Sequence, residues 1–502
     1  MIGSPAAQQS GSNESLRKEP AITVSDDLCL MSATELAAAF ATKALSPVEV
    51  TRAVLGRITR LNPDLNAYCT IACDSAIMDS ARAEAAIMRG DDVPVLSGIP
   101  VAFKDATETA GIRTTYGSQI FSEYVPNEDA IVVERTRKAG AVIIGKTNTP
   151  EFACKGTTDN SVFGPTRNPW DLERTAGGSS GGSAAAIAAG LATLAEGSDL
   201  AGSVRIPASL CGVVGFRPSL GRVPTYPTPN AWTTILTHGP LARTVADAAL
   251  FYSVLAGPDV RDPQSVPEAQ AVELKCFCLS GLRVAWSPTL GYAPVDPIVR
   301  SVVEAAVLSL SNEGLRVEAA DPGFADPREL FIALSAPWRA GVCGAYIPQW
   351  KDKMDPALVE RIGRTGSMTA IAYEHAQQKR SDLSRTVAAF FQDFDILLTP
   401  TTSVAAFPID LDFPSIIDGH SISSQLDWYP HTFPFSMTGQ PAISIPAGWT
   451  DEGLPVGLQI VGRRFDDAKV LQVAAVFEAI RPWRQRYASL TKSRAHHAGY
   501  GP

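Results

Sequence analysis

The amino-acid sequence predicts an α/β fold in which helices cover a central sheet. Two short apolar runs typical of buried strands, 99–103 and 141–145, lie on either side of a run with helical character, 130–138. Such strand–helix–strand alternation is typical of a sheet with helices packed on its faces. Four later apolar runs extend the pattern and predict further strands, at 283–286, 396–399, 442–445 and 457–461.

The helices carry recognisable start and stop signals. Ser32 and Glu35 form the pattern of a capping box before an Ala/Leu run. Ser46 is followed by Pro47, which is favoured at the first position of a helix. We expect Pro63 to end that second helix. Gly140 suits the position after helix 130–138, and a last helix is predicted at 466–480.

The chain is predicted to form one large domain with a disordered N-terminal segment and a polar C-terminal tail. Residues 1–25 are rich in Ser, Gln, Ala and Asn and are expected to be disordered, and 486–502 form a polar tail. The domain spans 26–485. Within it, 287–430 combine helical segments, several prolines and scattered aromatic residues, so we interpret this stretch as variable helical and loop cover over the site.

Composition argues against several classes of protein. The net charge of −9 disfavours nucleic-acid binding, which needs a basic surface. The eight cysteines include no Cys-x-x-Cys pair, which favours free thiols in a reducing compartment. Residues 1–20 have no apolar core of a signal peptide, and the uncharged stretches 176–195 and 428–450 are too weakly apolar or too broken by prolines to span a membrane. A cytoplasmic protein is therefore expected. The histidines show no spacing for zinc, and no metal or cofactor is predicted.

Two Gly/Ser-rich elements carry the chemical signal. Residues 177–183 read Gly-Gly-Ser-Ser-Gly-Gly-Ser and precede an alanine-rich helix, 184–189. A glycine-rich turn that opens a helix gathers backbone N–H groups, although a flexible linker is the simpler alternative. The second element, 197–203, ends in Ser203. A serine in such a tight turn combines a nucleophile with nearby backbone donors for an oxyanion.

A serine hydroxyl needs a base to become a nucleophile. His238 and His431 lie in contexts more typical of structural histidines. Lys104 ends the predicted strand 99–103, where burial would lower the pKa of its amine. The alternative for Lys104 is an ordinary ion pair, for example with Asp105.

Taken together, these elements resemble the amidase signature family over roughly residues 30–485. The matching motifs lie in order along the chain at 160–171, 177–183, 202–207, 212–219, 434–446 and 453–462. The resemblance implies a large α/β/α sandwich with a mixed central sheet. It also implies a Ser–cis-Ser–Lys triad of Lys104, Ser179 and Ser203, with a cis peptide bond before Ser179. The backbone N–H groups of Leu200, Ala201, Gly202 and Ser203 correspond to the family's oxyanion hole.

Two positions depart from the family pattern. Ala201 stands where the family usually has glycine, which keeps the backbone donor but narrows the allowed φ range. Ser436 replaces a common asparagine.

The predicted reaction is hydrolysis of an amide C–N bond, with a small-molecule substrate and no nucleic-acid or membrane partner. Aromatic residues in 287–430 favour an apolar or aryl amide. Carbamate (urethane) hydrolysis is one alternative, since a carbamate presents the same electrophile. The others are a non-catalytic binding protein and a glutamine-dependent amidotransferase subunit. The sequence does not give the oligomeric state, and a homodimer stays open.

Overall fold

The computed structural model describes residues 26–267, 272–274, 281–488 and 490. Its strands are β1 Tyr68–Ile71, β2 Pro100–Lys104, β3 Val142–Thr147, β4 Leu194–Asp199, β5 Val214–Arg217, β6 Thr237–Ala242, β7 Arg283–Trp286, β8 Arg316–Ala319, β9 Ile396–Pro400, β10 Ile416–Ile417, β11 His420–Ser421, β12 Ala442–Trp449 and β13 Pro455–Gly462. The predicted disordered segment 1–25 lies outside the described residues, as does most of the predicted tail.

The helices surround these strands. They are α1 Asp26–Leu30, α2 Ala33–Ala41, α3 Pro47–Leu65, α4 Cys73–Arg89, α5 Ile131–Lys138, α6 Gly181–Ala188, α7 Arg205–Cys211, α8 Val245–Leu255, α9 Pro297–Asn312, α10 Arg328–Cys343, α11 Ile347–Trp350, α12 Pro356–Gly363, α13 Ala370–Asp393, α14 Phe433–Thr438 and α15 Asp467–Ile480.

In the described part of the chain, eleven strands form one mixed sheet in the order β1-β3-β2-β4-β6-β5-β12-β13-β9-β7-β8. β2 is parallel to both β3 and β4, and β7 is parallel to β8 and β9. The remaining pairs are antiparallel. The predicted α/β class with a mixed central sheet is therefore confirmed.

The centre of the sheet is covered on both faces. Every residue of β2, β3 and β4 is buried, as expected for strands with helices on either side. α6 is buried along its whole length, which its small Gly, Ser and Ala side chains allow. The 177–183 stretch is thus packed inside the protein, and the flexible-linker alternative is wrong.

The N-terminal helices follow their signals with one exception. Ser32 and Glu35 form the predicted capping box, and Ser46 caps α3. The prediction that Pro63 ends α3 was wrong, because the helix continues to Leu65. A proline in the last turn removes one N–H but leaves φ helical. The helix ends instead at Asn66, whose left-handed conformation (φ 50°) closes the last turn.

Two regions differ from the simple domain outline. The 287–430 stretch supplies helices over the site, but it also supplies β8 and β9 to the main sheet. Packing also continues beyond 485, since the buried Tyr487 donates a hydrogen bond from its hydroxyl to the carbonyl of Gly212 at 2.8 Å.

One described segment, Arg328–Trp350, is long and apolar enough to span a membrane by length and composition. It contains α10, which packs against α12 and α13. Its residues Trp338 and Arg339 face internal cavities. The segment therefore belongs to the cover over the candidate site.

Candidate active site

The site forms where two parallel strands end at the same edge of the sheet. β2 ends with Lys104 and its neighbour β4 ends with Asp199, with Ala102 paired to Ala195. The loop 200–204 follows β4 directly. Ser179 lies just before α6, which packs on β2 and β4. Three segments that are distant in sequence therefore meet at one point.

Lys104 and Ser179 are in direct contact. The Lys104 side chain is fully buried, and its Nζ lies 2.7 Å from Ser179 Oγ and 3.0 Å from Ser198 Oγ. The Gly178–Ser179 peptide bond is cis, as the resemblance implies. A cavity wall formed partly by Ser179, Ser198 and Ser203 adjoins this contact.

The surroundings of Lys104 favour its neutral form. Burial lowers the pKa of Lys104 to about 7, although the charges of Glu196 and Asp199 act in the opposite direction. A substantial fraction of the amine is therefore unprotonated near neutral pH, which a general base requires.

Ser203 lies beside the Lys104–Ser179 pair. Its side chain is nearly buried and lines the same cavity as Ser179, and its carbonyl accepts the Ser180 N–H at 3.1 Å. The hydrogen bonds of the described residues include one from Lys104 to Ser179 but none between the Ser179 and Ser203 hydroxyls. The structure thus contains the first link of the predicted proton relay and brings the second serine to the same wall.

The four predicted oxyanion donors are not equivalent. The Gly202 N–H donates to Asp199 Oδ1 at 2.8 Å, so in this conformation it is engaged within the protein. For the N–H groups of Leu200, Ala201 and Ser203, the described residues provide no acceptor. These three amides are the ones left available to a ligand.

The local backbone explains both small residues of the loop. Gly202 has φ +120°, and a Cβ there would lie 2.5 Å from Thr432 Oγ1. Only glycine suits that position. Ala201 has a negative φ, so the alanine that departs from the family pattern fits without backbone strain. Its carbonyl contacts Thr432 Oγ1 at 2.5 Å.

A buried ion network holds this loop in shape. Asp199 accepts from Arg205 Nε and Nη2, each at 3.0 Å, and pairs with Arg217 Nη1 at 3.3 Å. Burial raises the pKa of Asp199, but the two guanidinium groups outweigh this effect and hold the pKa well below its usual range. Ser436 belongs to the same network, since Arg205 Nη2 donates to its Oγ at 2.9 Å.

A second buried carboxylate links Lys104 to His238. Glu196 accepts from the Lys104 backbone N–H at 3.2 Å and from Thr107 Oγ1 at 2.9 Å, while its other oxygen lies 2.7 Å from His238 Nδ1. Burial raises the pKa of Glu196, but His238 and Lys104 outweigh this effect and lower it overall. An ionised carboxylate only accepts, so Nδ1 of His238 carries the proton.

Comparison with known proteins identifies the family of this chain. The family model described as "Amidase" matches residues 49–471. An acylamidase of Rhodococcus erythropolis is 41% identical over 463 residues, covering 91% of this chain and 96% of the relative. The chain belongs to the amidase family. A glutamyl-tRNA(Gln) amidotransferase subunit from Acidothermus cellulolyticus is 37% identical, covering 92% of this chain and 96% of the relative.

A solved structure is similar along nearly the whole amidase domain. The crystal structure of a bacterial aryl acylamidase of the amidase signature family superposes with a TM-score of 0.86 at 31% identity, covering 92% of this chain and 99% of that one. The fold that the sequence resemblance implied is thereby confirmed.

The larger of the amidase's two site cavities is rich in aromatic side chains. It has a volume of about 480 Å³ and contains Ser179 and Ser203 in its wall. Its Phe, Tyr and Trp residues are Tyr116, Phe121, Tyr124, Phe152, Tyr226, Trp338 and Tyr346. Several of these rings touch, for example Phe121 and Tyr346 with centroids 5.6 Å apart. Such a wall suits an apolar or aromatic group.

The smaller cavity, of about 170 Å³, also adjoins the loop after β4, since Leu200, Ala201 and Ser203 are among its lining residues. Leu200, Ser203, Ala153 and Arg339 line both cavities. Ser203 is thus accessible from two compartments of different character, an arrangement suited to the two halves of an amide substrate.

Sequence reasoning missed several residues of this amidase site. Glu196, Ser198 and Asp199 are brought to the site by β4. Ser198 and Asp199 fall within the 197–203 element that the sequence had singled out. His238, interpreted from sequence as structural, is opposite Ser198 in the β4–β6 pair and lines the larger cavity. Residues two apart on a strand share a face, so this register also brings His238 next to Glu196.

Proposed function

We propose that this protein hydrolyses amide C–N bonds with Ser203 as the nucleophile, Ser179 as a proton relay and Lys104 as the base. The observation that carries the proposal is the 2.7 Å contact between Lys104 Nζ and Ser179 Oγ, made by a fully buried lysine whose pKa is lowered to about 7. A buried neutral amine beside a hydroxyl is suited to accept a proton.

The reaction begins when Ser203 Oγ attacks the substrate carbonyl carbon. The Ser203 proton passes to Ser179 Oγ, whose own proton passes to Lys104 Nζ. The C–N bond then breaks as the same path returns a proton to the leaving nitrogen. Water attacks the acyl-enzyme by the same relay and releases the acid. Binding must bring the Ser203 hydroxyl within hydrogen-bond reach of Ser179, since catalytic hydrogen bonds often tighten only in the substrate complex.

The tetrahedral oxyanion is stabilised by backbone N–H groups at the end of β4. Within the described ranges, nothing accepts a hydrogen bond from the amides of Leu200, Ala201 and Ser203, whereas the Gly202 amide fixes the loop through Asp199. Gly202, the fourth donor that the resemblance implies, contributes to the oxyanion only if substrate draws its N–H away from that carboxylate. One lost oxyanion donor typically costs about 3 kcal/mol of transition-state stabilisation.

The enzyme class itself is confirmed by the family match and by the acylamidase and aryl acylamidase relatives. It is a hydrolase acting on carbon–nitrogen bonds other than peptide bonds. The aromatic wall of the larger cavity supports the prediction of an apolar or aryl group next to the scissile bond. We place the enzyme in the cytoplasm, in line with the free thiols of the six described cysteines.

The test is labelling with a fluorophosphonate probe, followed by peptide mass spectrometry and an anilide hydrolysis assay. We expect the label on the peptide that contains Ser203. Ser203→Ala should lose both labelling and turnover with an unchanged circular dichroism spectrum. Ser161→Ala, at an exposed serine, is the matched control and should keep both. Near-wild-type hydrolysis by purified Ser203→Ala would refute the assignment.

A second candidate function is release of ammonia from glutamine for a partner enzyme. The 37% identity to an amidotransferase subunit favours it. Measuring ammonia release from L-glutamine beside aniline release from acetanilide separates the two candidates. A preference for glutamine, together with a partner chain that co-purifies with the protein, would support the amidotransferase.

Carbamates present the same carbonyl to Ser203, and a panel that includes an aryl carbamate and its matching anilide ranks the two substrate classes.

The proposed reaction needs no metal or cofactor, because Lys104 supplies the base and the loop amides supply the charge stabilisation.

A further inference from the structure

The most unusual charged group near the nucleophile is the guanidinium of Arg339 on α10. The residue is only 8% exposed. Among the described residues, no side-chain or backbone group forms a hydrogen bond or ion pair with the guanidinium of Arg339. Burial lowers the pKa of Arg339 and the nearby Arg361 lowers it further, yet an arginine keeps its charge in proteins. A buried charge without a partner is costly, so a partner is expected from outside the protein.

Arg339 is placed where a substrate would supply that partner. It lines both cavities, as does Ser203, so one guanidinium borders the two compartments that meet at the nucleophile. The smaller cavity is lined by four cationic residues, Lys155, Arg339, Arg361 and Arg364, and no Asp or Glu is present among its described lining residues.

Two of these four cations are already neutralised. Lys155 contacts Asp159 and Asp355, each at 2.7 Å, and Arg364 pairs with Glu360 at 2.5 Å. Arg361 differs, because its Nε and Nη1 donate to the carbonyls of Ala357 and Cys154. Its Nη2 is buried and has no partner in the described part of the protein. The Arg339 guanidinium is therefore the donor left for an incoming anion, and the nearby Arg361 adds positive charge.

We propose that the smaller cavity binds a carboxylate on one side of the scissile bond, held by Arg339 with the positive charge of Arg361 nearby, while the aromatic cavity holds the other side. The substrate class is an amide with an aromatic or apolar half and a carboxylate-bearing half. This proposal rests on the proposed function, because it takes Ser203 as the point of attack. A planar carboxylate can accept two parallel hydrogen bonds from a guanidinium, and a neutral amide cannot form this paired contact.

The experiment compares matched substrates that differ in the carboxylate. The monoanilide of succinic acid is set against pentananilide, which has an acyl chain of similar length without the charge. N-benzoylglycine is set against N-propylbenzamide to test a carboxylate on the amine side. Product release is followed by chromatography. We expect kcat/KM to favour the charged member of at least one pair by roughly tenfold to a hundredfold, as a charge-assisted bidentate contact would give.

The variants assign that preference to the residue. Arg339→Gln should remove most of the preference, and Arg339→Lys should restore part of it. Arg385→Gln is the matched control. Arg385 is exposed on α13, so this substitution removes the same charge away from the site. Its preference should equal that of the wild type. A direct binding measurement, calorimetry of the succinic monoanilide with Ser203→Ala, should show weaker binding when Arg339→Gln is added.

The outcomes separate this proposal from the proposed function. If neutral amides are hydrolysed through Ser203 but neither charged member is preferred, the carboxylate site is wrong and the amidase mechanism stands. An equal loss on charged and neutral substrates in Arg339→Gln would likewise overturn it, because a structural role alone has that effect. If no amide in the panel is cleaved and Ser203 takes no label, the proposed function fails first.

Discussion

The amine of Lys104 lies 2.7 Å from the hydroxyl of Ser179, and both groups are buried where β2 ends against β4. Burial alone does not single out this lysine. Lys146 on the adjacent strand β3 is also fully buried, and burial lowers its pKa to about 8. However, its Nζ contacts Thr107 and Thr109 instead of a serine beside the cavity. The serine contact distinguishes the proposed base.

The first prediction concerns the pH dependence of hydrolysis. Because Lys104 acts in its neutral form and burial lowers its pKa to about 7, kcat/KM should rise with pH and level off above that value. Below it, the rate should fall about tenfold for each pH unit, in proportion to the neutral fraction. The measurement is a pH profile with an anilide whose own groups do not titrate between pH 5 and 10. A rate that increases toward pH 5 would exclude a lysine base.

The second prediction concerns the charge of Glu196. This carboxylate raises the pKa of Lys104 against the effect of burial. Glu196→Gln removes the charge, so the acidic limb of the pH profile should move to lower pH. A lower maximal rate in this variant does not affect the test, because the test depends only on the pH at which kcat/KM falls. An unchanged limb, or one displaced to higher pH, would show that the titrating group is not Lys104.

The third prediction separates two serines that contact the same amine. Ser179 Oγ lies 2.7 Å and Ser198 Oγ 3.0 Å from Lys104 Nζ. Only Ser179 is assigned to the relay, so Ser179→Ala should lower kcat by roughly a hundredfold to ten-thousandfold, the usual range for general acid–base catalysis. Ser198→Ala, as the matched control, should cost far less. Equal losses in both variants would mean that hydrogen bonding to the amine, and not proton relay, explains the effect.

The fourth prediction concerns stability. Asp199→Asn leaves the buried Arg205 and Arg217 without their shared carboxylate, and breaking a buried ion pair in this way typically costs about 3–5 kcal/mol. The free energy of unfolding in urea should fall by that order. Asp382→Asn removes an exposed partner of Arg385 and should change it by less than about 1 kcal/mol. A stability of Asp199→Asn equal to that of the control would contradict the structural role of the network.

The parts of the site that the sequence predicted are those with a local signature. Lys104 ends an apolar strand, and Ser179 and Ser203 lie in glycine-rich turns whose order matches the family. The roles of Glu196, Asp199 and His238 depend on strand register and on side chains 18 and 42 positions apart, which no local pattern encodes. Gly202 illustrates the difference: its turn was recognised, but its engagement by Asp199 follows only from the folded loop.

In the fold as well, the elements with a local sequence signature were predicted and those without one were not. Continuous apolar runs located β2, β3, β7, β9, β12 and β13, because burial on both faces favours such runs. The sequence did not predict β1, or β4, β5 and β6 at the centre of the sheet. β4 and β6 are fully buried, but polar and glycine residues interrupt their apolar pattern. β8 was not predicted, since this edge strand is short and mostly exposed and therefore lacks that signal. The two cavities could not be foreseen either, because their walls combine loops after β2 and β3 with α10 and α12, which are far apart in the sequence.

The most direct test of the central claim is to trap the acyl-enzyme. Rapid acid quench during turnover of a slowly deacylated aryl ester or anilide, followed by intact-protein and peptide mass spectrometry, should show one acyl group. It should be on the peptide carrying Ser203, and it should be absent from Ser203→Ala and much reduced in Lys104→Met. An acyl group on another residue, or full turnover by Ser203→Ala with no acyl-enzyme at all, would contradict the account.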